Sequence, residues 1–117
     1  MKILKTKLFT KWAIKNHVSD ESLITAANEI VTDIYEANYG GGVIKKRVAN
    51  KGRGKSGSTR TIVVFKKGTH CFFIFGFEKN VKSTISINEE KAFKIIAKTL
   101  LSYSGTVIER FLKEGKL

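Results

Sequence analysis

The residues best equipped for chemistry are cations gathered in the middle of the chain. No acidic residue lies between Glu36 and Glu78. Nine lysines and arginines occupy that interval: Lys45, Lys46, Arg47, Lys51, Arg53, Lys55, Arg60, Lys66 and Lys67. Their combined field is strongly positive, and lysine and arginine bind and stabilise phosphate oxygens. The segment therefore predicts a surface that binds a polyanion.

The densest part of this segment is residues 51–58, Lys-Gly-Arg-Gly-Lys-Ser-Gly-Ser. Glycine allows a backbone to approach a ligand closely, and its N–H groups can hold phosphate. The segment is not a Walker A loop, because that motif leads into a helix and a strand is predicted here. A solvated hairpin loop is the alternative interpretation, since charge runs are common on surfaces.

Other catalytic constellations are missing from the sequence. His17 and His70 are far apart, and Cys71 is the single cysteine and lies in an apolar run, which is typical of a core thiol. We therefore expect no metal site and no cofactor. Cations alone can serve RNA cleavage by the 2′-OH, since they stabilise the phosphorane and a lysine crowded by cations can act as a base.

Length and composition limit the class of protein. The chain has 117 residues, 42% of them hydrophobic, and a formal net charge of +12. We expect one domain, residues 1–117, with a partner that is a polyanion. The longest apolar run, Cys71–Phe77, is far shorter than a membrane span, and the basic N-terminus is not followed by a long apolar stretch. We therefore expect a cytoplasmic protein with no membrane partner.

Helices are predicted on both sides of a central group of strands. One helix of about four turns begins at Ser19, carries an apolar stripe from Leu23 to Ile34, and is ended by the glycines 40–42. Another begins with the capping box Ser86–Glu89 and carries a stripe to Leu101. Shorter helices are expected at Phe9–His17 and at Thr106–Glu114, the latter within the C-terminal segment 104–117.

Three strands are predicted between the helices, at Val43–Val48, Arg60–Phe65 and Cys71–Phe77, and a further short one at Lys2–Leu8. Short connections favour an antiparallel meander, and Cys71–Phe77 is apolar on both faces, as an interior strand is. The order helices, strands, helices indicates the α+β class.

Two quoted stretches carry a resemblance to a known family. They are Gly40-Gly-Gly-Val-Ile-Lys-Lys-Arg-Val-Ala-Asn-Lys-Gly-Arg-Gly-Lys-Ser-Gly-Ser-Thr-Arg60-Thr-Ile and Phe72-Phe-Ile-Phe-Gly-Phe-Glu-Lys-Asn80. Together they closely resemble the RelE/ParE superfamily, and the HigB-like branch is the most similar. The resemblance implies a compact RelE-like fold, with N-terminal helices packed on a small, twisted, mainly antiparallel sheet and a C-terminal helix.

The resemblance also implies a function. Similar proteins are toxins of type II toxin–antitoxin pairs, and many cut mRNA in the ribosomal A site without a metal, leaving a 2′,3′-cyclic phosphate. The implied partners are a cognate antitoxin, the ribosome and mRNA, and no small-molecule cofactor is implied.

Site residues follow from the same resemblance. Arg60 falls where such toxins place a phosphate-stabilising arginine, and it forms the expected catalytic group together with Lys55 and Lys79. The expected RNA- or ribosome-binding residues are Lys45, Lys46, Arg47, Lys51 and Arg53.

The sequence departs from well-known RelE members in one respect. Those carry a tyrosine after the basic cluster, where it stacks on an mRNA base, whereas residues 81–87 contain no aromatic residue. Tyr103 or a phenylalanine could take this role, or the role could be absent. Two alternatives to the ribonuclease therefore stay open: a ParE-like toxin that binds DNA gyrase, and a non-catalytic nucleic-acid-binding relative.

Overall fold

A computed structural model describes residues 1–49, 59–78 and 84–115 of the chain. The described residues form, in chain order, β1 (Lys2–Lys5), α1 (Lys7–Lys15), α2 (Asp20–Val31), β2 (Ala37–Gly40), β3 (Val43–Val48), β4 (Thr59–Lys66), β5 (His70–Glu78), α3 (Ile87–Ser102) and α4 (Gly105–Lys113). The longest helix is α3, and no helix in this part of the chain is long and apolar enough to cross a membrane.

The strands form one five-stranded sheet in the order β1-β5-β4-β3-β2. Strands β2 to β5 pair antiparallel with their neighbours, and β1 pairs parallel with β5, with Lys2 opposite His70. The predicted meander is therefore confirmed as β3-β4-β5. Strand β5 is paired on both edges, as its apolar sequence indicated, although β4 is the middle strand.

Helices cover both faces of the sheet. The α+β prediction is confirmed, because β2 to β5 are consecutive and antiparallel and the longer helices precede and follow them. On one face, Phe9 of α1 and Ile30 of α2 are buried against sheet residues such as Phe73. On the other, Phe93 of α3 and Ile108 of α4 are buried in a second cluster with the sheet. Alternate residues of a strand point to opposite faces of the sheet. The apolar residues of β4 and β5 therefore contribute to both clusters.

Serine side chains begin three of the helices. Ser19, Ser86 and Ser104 accept hydrogen bonds from backbone N–H groups in the first turns of α2, α3 and α4. The predicted capping box is confirmed, because Glu89 also accepts from the backbone N–H of Ser86 at 2.9 Å. Each cap satisfies a donor that the helix itself leaves unpaired.

Helix α2 is shorter than predicted, and the glycines 40–42 do not end it. The helix ends at Val31, and Asp33 has a φ of 62°, which no helix continues through. Ile34, which extended the apolar stripe in the sequence, is 52% exposed. The residues that follow form β2, which was not predicted.

The glycine turn after β2 lets that strand approach α3. Gly42 has a φ of +85°, and a Cβ at this position would lie 2.9 Å from the Leu101 side chain and 3.2 Å from the Phe65 carbonyl oxygen. Glycine adopts this conformation without cost and leaves room for Leu101. The turn between β2 and β3 therefore packs closely against Leu101, near the C-terminal end of α3.

Candidate basic site

The register between β3 and β4 places two arginines side by side. Arg47 lies directly opposite Arg60, and residues opposite one another project from the same face of a sheet. Lys45 lies two residues before Arg47 and opposite Ile62, so it shares that face. Lys45 and Arg60 are half-buried and Arg47 is exposed. We call Lys45, Arg47 and Arg60 the basic face.

Threonines on the opposite face fix the direction of Arg60. Thr59 and Thr61 flank it in β4 and are fully buried. The Thr61 hydroxyl donates to the Lys46 carbonyl oxygen at 2.8 Å, and the Thr59 hydroxyl donates to that of Val48 at 3.4 Å. Because these hydroxyls are held inside, the strand alternation directs Arg60 to the basic face.

Lys46 lies between two members of the basic face but points away from it. Its side chain is 4% exposed, and its Nζ lies 3.2 Å from Oε1 of Glu29 in α2. Glu29 is 45% exposed, so its removal would leave the charge of the buried Lys46 without this partner. The sequence expectation grouped Lys46 with Lys45 and Arg47, and the two-residue period of the strand separates it from both. We therefore leave Lys46 out of the basic face.

The electrostatics of the basic face favour an anion. Like charges directly opposite one another in a sheet repel. The nearby carboxylate of Glu36 accepts a hydrogen bond from the Arg47 backbone N–H, which ties it to the main chain of β3. A phosphate between the two guanidinium groups would accept charge-assisted hydrogen bonds from both and relieve their repulsion.

Aromatic residues border the basic face. Phe77 lies opposite Arg60 in β5 and is buried. The Phe75 ring lies 6.0 Å from that of Phe77 and 5.3 Å from that of Phe93 in α3. Tyr39 of β2 is half-buried against the same cluster. None of these residues was among the predicted site residues, although alternation along β5 could have indicated Phe75 and Phe77. No signal indicated Tyr39, because β2 was not predicted.

Four of the expected site residues lie outside the described residues: Lys51, Arg53, Lys55 and Lys79. In sequence, the first three fall between β3 and β4, whose paired ends carry Arg47 and Arg60. Lys79 directly follows Glu78, the last residue of β5.

The histidines and the cysteine lie apart from the basic face. His70 pairs with Lys66 at one end of β5, whereas Arg60 pairs with Phe77, seven residues along, or about 23 Å by the rise of a strand. Burial, together with the charges of Lys2, Lys66 and the N-terminus, lowers the pKa of His70. Burial raises the pKa of the Cys71 thiol to about 12, so at neutral pH it is protonated and not a nucleophile.

Comparison with known proteins gives one family. A family model described as "RelE toxin of RelE / RelB toxin-antitoxin system" matches residues 1–117, the whole chain. A comparison with curated proteins found no match.

Proposed function

Because the chain belongs to the RelE toxin family, we propose that it is a ribosome-dependent mRNA endoribonuclease of the HigB-like branch, which cleaves without a metal. The observation that carries this proposal is the pairing of Arg47 with Arg60 on one face of the sheet. Two arginines at directly paired strand positions can both reach one phosphate, and the family supplies the context in which that phosphate belongs to mRNA.

The proposed reaction is attack by the ribose 2′-oxygen on the adjacent phosphorus. The O2′–P bond forms and the P–O5′ bond breaks, giving a 2′,3′-cyclic phosphate and a 5′-hydroxyl. Arg60, half-buried at the start of β4, stabilises the negative charge of the phosphorane. Arg47 orients the same phosphate from the neighbouring strand.

Proton transfer in this proposal falls to lysines. One proton must leave the 2′-oxygen and one must reach the 5′-oxygen. The proposed groups are Lys55, which precedes β4 in sequence, and Lys79, which directly follows β5. Lys51, Arg53 and Lys45 are proposed to hold the RNA backbone or the ribosome.

The proposed partners follow from the same function. Translated mRNA on the ribosome is the substrate, so the site of action is the cytoplasm. The toxin role implies an antitoxin that holds the protein inactive, and the net charge of +12 favours an acidic segment as its contact.

The test is induced expression of the wild type and of Arg60→Ala in cells, with primer extension on cellular mRNA. We expect growth arrest with new 5′ ends inside translated messages for the wild type, and neither effect for Arg60→Ala. Arg110→Ala is the matched control, because Arg110 is an exposed arginine of α4 whose guanidinium lies over the Phe111 ring.

Two results would overturn the assignment. Growth arrest with intact mRNA would place the target elsewhere, and a DNA gyrase supercoiling assay would then test the ParE-like alternative. Cleavage that persists in Arg60→Ala, with the variant folded as judged by circular dichroism, would remove Arg60 from the reaction.

A further inference from the structure

We propose that Tyr39 is a stacking platform for an unpaired RNA base, placed on the sheet face that carries Lys45, Arg47 and Arg60. The inference rests on the proposed function and deepens it. Aromatic side chains bind bases of single-stranded RNA by stacking, and a phosphate site alone cannot hold a base.

Packing assigns Tyr39 to the basic face. Ala37 of β2 lies opposite Lys45 of β3, so the two residues share a face. Tyr39 lies two residues beyond Ala37 and packs against the hydrophobic cluster beneath α3, which is the cluster on that same face. The Tyr39 ring and the side chain of Lys45 therefore project from neighbouring positions.

The tyrosine is held in place and is half-buried. Its hydroxyl lies 3.4 Å from the Thr84 hydroxyl, within hydrogen-bond distance, just before α3. The backbone beside it is fixed, since the Gly40 N–H donates to the Asn38 side chain at 2.9 Å and the β2–β3 register shifts between those residues. Such a bulge redirects a side chain, and a ring fixed before binding loses little entropy when a base stacks on it.

The spacing separates the base from the phosphate. Gly40, next to Tyr39, lies opposite Val43, and Val43 lies four residues before Arg47, or about 13 Å along β3. Lys45 lies midway between them. A strand of RNA that places a phosphate between the arginines would thus pass Lys45 and stack a nearby base on Tyr39.

The other two tyrosines are held differently, although Tyr103 also packs against the cluster beneath α3. Tyr35 packs against the cluster beneath α1 and α2, on the opposite face of the sheet. Tyr103 caps the C-terminal end of α3, and its ring meets that of Phe111 edge-on at 5.1 Å. Tyr103, which the sequence offered as a substitute for the missing stacking residue, is therefore engaged with α4.

The test measures binding of a short fluorescein-labelled oligoadenylate to the whole protein by anisotropy. The variants are Tyr39→Leu, which keeps apolar bulk, and Tyr39→Phe, which keeps the ring. Tyr103→Leu is the matched control. The second probe is a strand of the same length made of abasic ribose phosphates, which offers charge without bases. Circular dichroism and thermal unfolding establish that each variant is folded.

We expect Tyr39→Leu to weaken binding of the oligoadenylate about 5- to 150-fold, the range for loss of one stacked base. Tyr39→Phe and Tyr103→Leu should bind it as the wild type does. The abasic strand should bind the wild type and Tyr39→Leu equally, since it has no base to stack.

Each other outcome counts against the inference in a distinct way. Equal binding of the oligoadenylate by wild type and Tyr39→Leu, with binding that Arg60→Ala still weakens, would overturn the stacking role and leave the proposed function intact. Equal losses on both strands would overturn the stacking role, since the abasic strand has no base, and would show that Tyr39 supports phosphate binding instead. A wild type that binds neither strand would overturn the stacking role, and primer extension on cellular mRNA would decide the proposed function separately.

Discussion

At the scale of single residues, the pairing of Arg47 with Arg60 costs stability and gains a binding site. Like charges directly opposite in a sheet are unfavourable, and an opposite-charge pair in that place would contribute roughly 0.2–1 kcal/mol. Sites built for a ligand commonly carry such a cost, because the repulsion is relieved when the ligand binds. The cost and the binding can be measured separately.

Replacing Arg47 by Gln should raise stability and lower affinity together. Arg47 is exposed, so the substitution removes repulsion without opening a cavity. We expect the free energy of unfolding in urea to rise by about 0.2–1 kcal/mol while RNA affinity falls. A loss of stability greater than about 1 kcal/mol would contradict this account of the pair. Lys67→Gln, an exposed cation in the β4–β5 turn, is the control.

His70 should make the protein less stable in mild acid. Burial first, and then the nearby charges of Lys2, Lys66 and the N-terminus, lower its pKa below the ordinary value of about 6.5. The unfolded chain therefore binds a proton that the folded chain resists, so the free energy of unfolding falls as the pH drops below about 6.5.

The measurement is urea unfolding of wild type and His70→Gln between pH 7.5 and pH 5. The wild type should lose more stability across this range than His70→Gln, and His17→Gln, at an exposed histidine, is the control for removing a histidine. Parallel pH profiles for wild type and His70→Gln would show that His70 does not contribute to the pH dependence.

At the scale of elements, α1 sits on β5 through a tryptophan placed over a glycine. A Cβ at Gly76 would overlap the ring of Trp12. We expect Gly76→Ala to lower the free energy of unfolding by about 1–3 kcal/mol, the usual cost of overpacking. Urea unfolding measures this cost.

Coupling between the two elements distinguishes a clash from a general weakness of β5. If the ring causes the cost, Gly76→Ala should cost much less in a Trp12→Leu background, because the smaller side chain leaves room for the new methyl group. Additive costs in this double-mutant cycle would disprove the proposed contact between α1 and β5.

Elements with long apolar runs or long apolar stripes were easier to predict from the sequence than short ones. Strands β3 to β5 have runs of β-branched and aromatic residues, and their predicted bounds fall within about two residues of the observed ones. Strand β2 has only four residues, Ala37–Gly40, with no such run. Helix α2 was extended too far because Ile34 continues its apolar period, and sequence periodicity does not report the left-handed turn at Asp33.

The site was predictable in composition and not in arrangement. The run Lys45, Lys46, Arg47 indicated a polyanion surface, but only the strand alternation shows that its middle lysine faces α2. The pairing of Arg47 with Arg60 depends on register across a connection, and register is a property of two strands and their turn rather than of either sequence.

At the scale of the whole molecule, positive charge is distributed over more than the basic face. The net charge of +12 includes exposed lysines of α1 and α3 as well as the central segment. Such a field attracts any polyanion from a distance, so binding alone does not identify the site. The site is distinguished by the cations that contact phosphates and so displace counterions from the RNA.

The salt dependence of RNA binding therefore tests the whole charge distribution. About six phosphate contacts would give a slope of about −4 for the logarithm of the association constant against the logarithm of salt concentration, since each contact to a single strand contributes about −0.7. Arg47→Gln should reduce the magnitude of that slope by about 0.7. The control is Arg110→Gln in α4. The Lys2–Glu109 pair, at 3.3 Å, places α4 beside β1, and β1 and β2 form opposite edges of the sheet. A slope near zero would reject the polyanion surface altogether, and equal reductions from Arg47→Gln and Arg110→Gln would show that RNA is held by the diffuse field and not by the paired arginines.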